Sequence, residues 1–63
     1  MKVSEFRRWL QAQGAVFVEG ARHTRVLFEG RQSVIPRHPS HELLDGTRWA
    51  ILKQLGLTRQ WRQ

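Results

Sequence analysis

Residues 19–36 read EGARHTRVLFEGRQSVIP, in which two turn signals flank a strand-like segment. Glu19-Gly20 and Glu29-Gly30 each begin a turn, since glycine adopts backbone conformations that other residues avoid. Between the turns, His23–Phe28 alternates imperfectly between polar and apolar side chains, and Arg31–Pro36 continues as another strand-like run. The stretch therefore predicts two antiparallel strands joined by a tight turn, with a further turn in front of them.

The flanking segments predict one more strand and two helices. Ala15–Val18 is a short, nearly continuous apolar run, which is typical of a strand. Before it we expect a helix that Ser4 caps and that ends just before Gly14. Near the carboxyl end we expect a second helix that Asp45 caps and that ends just before Gly56. The order helix, three strands, helix predicts an α+β fold, a two-layer sandwich whose helices cover one face of an antiparallel meander.

Side-chain periodicity predicts which face of each element is buried. In the central strand, Val26 and Phe28 are expected against the helices, which puts His23 and Arg25 on the opposite, open face. The predicted helix core consists of residues at helical spacing: Val3, Phe6, Trp9, Leu10, Trp49, Ile51, Leu52 and Leu55. Trp61 is the tryptophan expected to be exposed. His23 should therefore project where a large ligand can reach it.

The charge balance favours a polyanionic partner. Eleven Lys and Arg residues against five Asp and Glu residues give a net charge of +6, and nine of the eleven are arginine. The planar guanidinium group suits two-point contact with phosphate, so nucleic acid is the natural partner. The alternatives are an acidic protein partner, or a basic surface that merely keeps the protein in solution.

Composition also limits the class of protein. At 63 residues without cysteine, residues 1–63 are expected to form a single domain without a disulfide or a thiolate metal site. No apolar run approaches the roughly 20 residues of a membrane-spanning helix, and the charged start MKVSEFRRW does not resemble a signal peptide. These features predict a soluble cytoplasmic protein.

Several blocks of the sequence resemble one family. MKVSEFRRWLQAQG at the start, the Gly20–His23 motif, GRQSVIPRHP and AILKQLGL together are similar to the HicA family of bacterial toxins, from Met1 to about Thr58. The resemblance implies a fold like the double-stranded RNA-binding domain and a ribosome-independent mRNA interferase with a single catalytic histidine. It also implies a HicB-like antitoxin as partner and no cofactor. Ala21 and Arg22 depart from the small polar residues common in the family motif.

The resemblance places the catalytic histidine at His23. RNA carries its own nucleophile in the 2′-hydroxyl, so an imidazole that moves protons and arginines that neutralise phosphate charge suffice for cleavage without a metal. The candidate RNA-binding residues are the other basic side chains near the open face and on the second helix: Arg22, Arg25, Arg31, Arg37, His38 and Lys53. His38 is also a candidate for the acid that complements His23.

Two other interpretations remain open on the residues alone. His38 and His41 are three apart and Glu42 could join them around a metal, but Pro39 prevents the regular helix that would make the imidazoles converge. A non-catalytic RNA-binding module would need the same arginines and would make His23 incidental. A basic structural subunit that binds an acidic partner is the third possibility.

Overall fold

The computed structural model describes residues 1–61 and has the predicted order of elements. The elements are α1 (Val3–Gln13), β1 (Val16–Glu19), β2 (His23–Phe28), β3 (Arg31–Pro36) and α2 (Asp45–Leu55). The strands form one antiparallel sheet in the order β1-β2-β3. The α+β prediction is confirmed. No helix in the described part of the chain is long and apolar enough to cross a membrane.

The predicted helix ends are confirmed, but the predicted caps are wrong. Gly14 and Gly56 end the helices in the left-handed conformation, with φ of 102° and 72°. Ser4 and Asp45, however, lie inside the first turns, and Lys2 and Leu44 occupy the cap positions. A serine cap is not needed on α1 because its first amides already have acceptors. Those of Val3 and Ser4 donate to the carbonyls of His41 and Pro39, at 2.9 and 3.0 Å.

The core lies between the helices and one face of the sheet. Thr24 and Val26 of β2 and Ser33 and Ile35 of β3 face the helices and are buried. The buried apolar residues are Val3, Phe6, Leu10, Ala15, Val26, Ile35, Leu43, Ile51, Leu52, Leu55 and Leu57. The Ser33 hydroxyl donates to the Gln54 Oε1 at 2.5 Å and so ties β3 to α2. The other face of the sheet is left uncovered by the helices.

The tryptophan predictions at the carboxyl end are wrong. Trp49 is 45% exposed, whereas Trp61 is half-buried with its ring edge-on to Trp9 at 4.9 Å between centroids. Arg48 faces inward in place of Trp49, with its guanidinium carbon 4.9 Å from the centre of the Trp61 ring. It also pairs with Asp45 at 3.1 Å. A cation–π contact and an ion pair thus make an inward arginine tolerable at a position where helical periodicity predicts tryptophan.

Candidate functional site

His23 is the first residue of β2 and is exposed on the open face of the sheet. Thr24 and Val26 alternate with it and are buried, so the predicted direction of the imidazole is confirmed. Its partner across the ladder is Pro36, the last residue of β3. His23 therefore lies at one end of the sheet, where the turn after β1 meets the chain that leaves β3.

The turn in front of His23 is tight. The amide of Gly20 donates to the carbonyl oxygen of His23 at 2.8 Å, which leaves Ala21 and Arg22 at the tip. A Cβ atom built on Gly20 would lie 2.8 Å from that same carbonyl oxygen. Because the obstructing atom belongs to the backbone, a side chain at position 20 would displace His23. The glycine of the motif is thus explained by a close backbone approach.

Three of the predicted RNA-binding residues meet at the end of the sheet where His23 lies: Arg22 precedes His23 in the chain, and Arg37 and His38 follow its ladder partner Pro36. A groove of about 540 Å³ is lined by Ala21, Arg22, Arg37 and His38. Arg37 donates from its Nη1 to the carbonyl of Ala21 at 2.8 Å, which joins the exit of β3 to the tip of the turn. The groove therefore presents two guanidinium groups and an imidazole, an arrangement suited to a phosphate group.

Arg25 lies two residues farther along the open face, between the ladder partners Val18 and Val34. Both valines are exposed, by 40% and 46%, and Val16 beyond them is exposed by 58%. We call these three valines the apolar strip. The strip was not identified from the sequence, because an apolar run in a strand does not reveal which of its residues the helices leave uncovered. The register of the three strands was the missing information.

Arg31 and Lys53 are not brought together with His23. Arg31 begins β3 opposite Phe28, five residues along β2 from His23, which is about 16 Å of strand. Its guanidinium lies beside Gly56, at the end of α2. Lys53 is exposed on α2, in the layer that packs on the other face of the sheet. These two cations lie apart from the groove.

His38 and His41 do approach each other, with ring centroids 4.7 Å apart. Glu42, the suggested third ligand, instead accepts from the amino group of Met1 at 2.5 Å. Within residues 1–61 no group of three or more histidine, aspartate and glutamate side chains is arranged to hold a metal ion. His38 lines the groove, and His41 is the neighbouring imidazole.

Glu19 is a polar residue that the sequence analysis did not connect to the site. Its carboxylate accepts from the hydroxyl of Thr24 at 2.6 Å and from the Arg7 Nη2 at 2.8 Å. The hydrogen bond from Thr24, followed by that from Arg7, lowers the pKa of Glu19 below its ordinary value. Its two partners, Thr24 and Arg7, are 5 and 12 positions from Glu19 in sequence, so no local motif indicates the contacts.

Comparison with known proteins agrees with this fold. The family model described as the HicA toxin of bacterial toxin–antitoxin systems matches residues 3–57. A protein named "Probable mRNA interferase toxin HicA" from Escherichia coli (strain K12) is 55% identical over 58 residues, 92% of this chain and 100% of that protein. "Probable mRNA interferase HicA" from Pseudomonas fluorescens (strain Pf0-1) is 50% identical, covering 90% and 97%.

A solved structure is similar over the same range. A chain in "Crystal structure of the E.coli HicAB toxin-antitoxin complex" is 54% identical, with a TM-score of 0.86 over 90% of this chain and 100% of that chain. The sequence match and the shared fold cover both helices and all three strands. This chain belongs to the HicA family of bacterial toxin–antitoxin toxins.

Proposed function

We propose that this chain is the toxin of a toxin–antitoxin pair and acts as an endoribonuclease on mRNA, with His23 as its catalytic residue. The observation that carries the proposal is the position of His23, exposed at the end of the sheet beside the groove of Arg22, Arg37 and His38. The relatives that are named as probable mRNA interferases support the same activity.

The proposed reaction is an internal phosphoryl transfer. The 2′-oxygen of one nucleotide forms a bond to the adjacent phosphorus, and the bond from phosphorus to the 5′-oxygen of the next nucleotide breaks. His23 takes the 2′-hydroxyl proton, and the departing 5′-oxygen receives a proton from His38 or from water. Arg22 and Arg37 stabilise the charge that develops on the phosphate oxygens. The mechanism uses no cofactor or metal.

The RNA is proposed to lie across the groove and along the open face. Arg25 would contact a phosphate next to the reacting one, while Arg22, Arg37 and His38 hold the reacting phosphate. Arg31 and Lys53, at the far end of the sheet and on α2, would reach only phosphates remote from the cleaved bond. We therefore expect the groove residues to contribute most to RNA binding and cleavage, and Arg31 and Lys53 to contribute least.

We also propose that a HicB-like antitoxin neutralises the toxin by covering the open face. The apolar strip exposes three valines on a face that the helices do not cover. Burial of exposed apolar surface would supply affinity, and acidic groups of the partner would complement Arg22, Arg25 and Arg37. A related chain is solved in a toxin–antitoxin complex, which supports a protein partner of this kind. A partner on this face would exclude RNA from His23.

Analysis of the cleavage products tests the proposed reaction. Purified protein should cut RNA to fragments that end in a 2′,3′-cyclic phosphate and a 5′-hydroxyl, and it should do so in the presence of a chelator. An RNA with a single 2′-deoxy nucleotide at the cleavage point should resist, whereas the same substitution elsewhere should not matter. Cleavage of the deoxy substrate at the normal rate would refute the mechanism. Salt-dependent binding without any cleavage would indicate the non-catalytic RNA-binding module instead.

A further inference from the structure

The carboxylate of Glu19 joins three elements behind the turn that carries His23. Its Oε1 accepts from the Thr24 hydroxyl at 2.6 Å on β2, and its Oε2 accepts from the Arg7 Nη2 at 2.8 Å on α1. Glu19 itself ends β1 and is the ladder partner of Thr24. Both carboxylate oxygens are thus engaged, and we call Arg7, Glu19 and Thr24 the clamp.

The clamp lies at the base of the turn that precedes His23. Glu19 comes directly before the turn, and Thr24, which is completely buried, directly follows His23. Because successive residues of a strand point to opposite faces, holding Thr24 toward the helices holds the His23 side chain on the open face. At the tip, Arg37 holds the carbonyl of Ala21 at 2.8 Å. The turn is therefore secured from two directions.

Arg7 is itself held in place on the helix side. Its guanidinium carbon lies 4.7 Å from the centre of the half-buried Phe17 ring, in addition to its ion pair with Glu19. A guanidinium fixed by a ring and a carboxylate gives the clamp a defined position relative to α1. The clamp thus connects α1 to the base of the turn, although none of its side chains belongs to the open face.

We propose that Glu19 is a positioning residue for His23, acting through Thr24 and Arg7 without touching RNA. This inference deepens the proposed function and rests on it for the effect on cleavage. A loosened turn would let the imidazole leave the position required for proton transfer, and a displacement of about 1 Å can cost on the order of 100-fold in rate. Loosening the clamp is expected to lower kcat without weakening RNA binding.

The test compares two variants of equal charge. Glu19→Gln breaks the pairing with Arg7, whereas Glu29→Gln removes a negative charge from the exposed β2–β3 turn, outside the clamp. Both changes remove one negative charge, so an effect of net charge alone is shared by the two variants. The kcat of Glu19→Gln should be roughly 10- to 100-fold below that of Glu29→Gln. Equal kcat values in the two variants would overturn the proposal.

Substitutions at the other end of the hydrogen bond separate positioning from loss of folding. Thr24→Val keeps the shape of the buried side chain but removes the hydroxyl, and it should lower kcat in the same way as Glu19→Gln. Thr24→Ser restores the hydroxyl and should recover most of the rate. All variants are assayed well below their midpoints of thermal unfolding. A Thr24→Val variant that is as fast as Thr24→Ser would contradict the role of the hydrogen bond.

Hydrogen exchange tests the clamp independently of any cleavage. The Gly20 amide, which donates to the His23 carbonyl at 2.8 Å, should exchange faster in Glu19→Gln than in the wild type. Amides of the β2–β3 hairpin should be unaffected. Unchanged exchange at Gly20 would overturn the clamp whether or not the protein cuts RNA. If the His23→Ala variant cut RNA as fast as the wild type, the proposed function would be refuted, but the hydrogen-exchange result for the clamp would still hold.

Discussion

The two hairpin turns of the sheet are held in different ways. In the β2–β3 turn, Glu29 and Gly30 have φ of 47° and 80°, the left-handed pair that matches the twist of a two-residue hairpin. A Cβ on Gly30 would meet nothing within 4 Å. Across the β1–β2 turn, none of the described residues has a positive φ. That turn is held instead by the close approach of Gly20 to His23, by the clamp and by Arg37.

Adjacent residues hold one of the two turns, whereas contacts with distant residues hold the other. The β2–β3 turn is specified by the backbone preferences of two adjacent residues and supports only the hairpin. The β1–β2 turn carries the proposed catalytic residue, and its geometry depends on side chains from α1 and from the end of β3. A change at the β1–β2 turn, the first along the chain, should therefore affect activity more than stability. A change at the β2–β3 turn, the second, should do the reverse.

The largest effect on cleavage is expected for His23→Ala, directly after the first turn. Loss of a general acid–base residue typically lowers the rate by about 10²–10⁴-fold, and the exposed imidazole contributes little to packing. The cleavage rate of purified protein and its circular dichroism measure the two quantities. Gln32→Ala, on the same face near the second turn, is the control and should retain activity. A well-folded His23→Ala variant that cuts RNA normally would contradict the catalytic assignment.

The second prediction exchanges the two glycines for alanine. Gly20→Ala should lower kcat by about tenfold or more, because its Cβ would lie 2.8 Å from the His23 carbonyl and must displace it. Gly30→Ala should leave cleavage unchanged and lower the free energy of unfolding by about 1–2 kcal/mol, because alanine disfavours a positive φ. Steady-state kinetics and urea unfolding of both variants provide the measurements. If both variants lost activity to the same extent, the contrast between the turns would fail.

The third prediction concerns RNA binding at the two ends of the sheet. Each phosphate contact with single-stranded RNA adds roughly −0.7 to the slope of log affinity against log salt. Replacing Arg25 and Arg37 by glutamine should therefore make the slope less steep by about 1.4. Replacing Arg31 and Lys53, which also removes two charges, should change it less. Binding titrations over a range of salt concentrations decide this, and equal changes would show that the groove is not the preferred end.

The smallest effect is expected for Glu29→Asn in the second turn. Asparagine tolerates a positive φ better than glutamate, and Asn-Gly is the preferred pair in this type of turn. The free energy of unfolding should rise by about 0.5–1 kcal/mol, with kcat unchanged. Urea unfolding and a cleavage assay measure the two. Lower stability would show that φ at Glu29 does not limit this turn.

The sequence predicted what depends on neighbouring residues. Glycine turns, strand alternation and helical periodicity were enough to predict the order of elements and the exposure of His23 on the open face. The predicted cap of α1 was wrong because the amides of Val3 and Ser4 donate to the distant carbonyls of His41 and Pro39. Likewise, helical periodicity predicted Trp49 in the core. In the structure Arg48 is the buried residue instead, and its guanidinium packs on the Trp61 ring.

The architecture, the family and the histidine of the family motif were all predictable from the sequence, because they depend on local conformation and on motifs that follow one another along the chain. The assembled fold was needed to show which basic residues meet at the groove, which valines stay uncovered and that Glu19 contacts both Thr24 and Arg7. Arg7, Glu19, Thr24 and Arg37 come together through strand register and helix packing. Contacts between residues far apart in sequence have no local signature, because they exist only once the sheet and helices have been assembled.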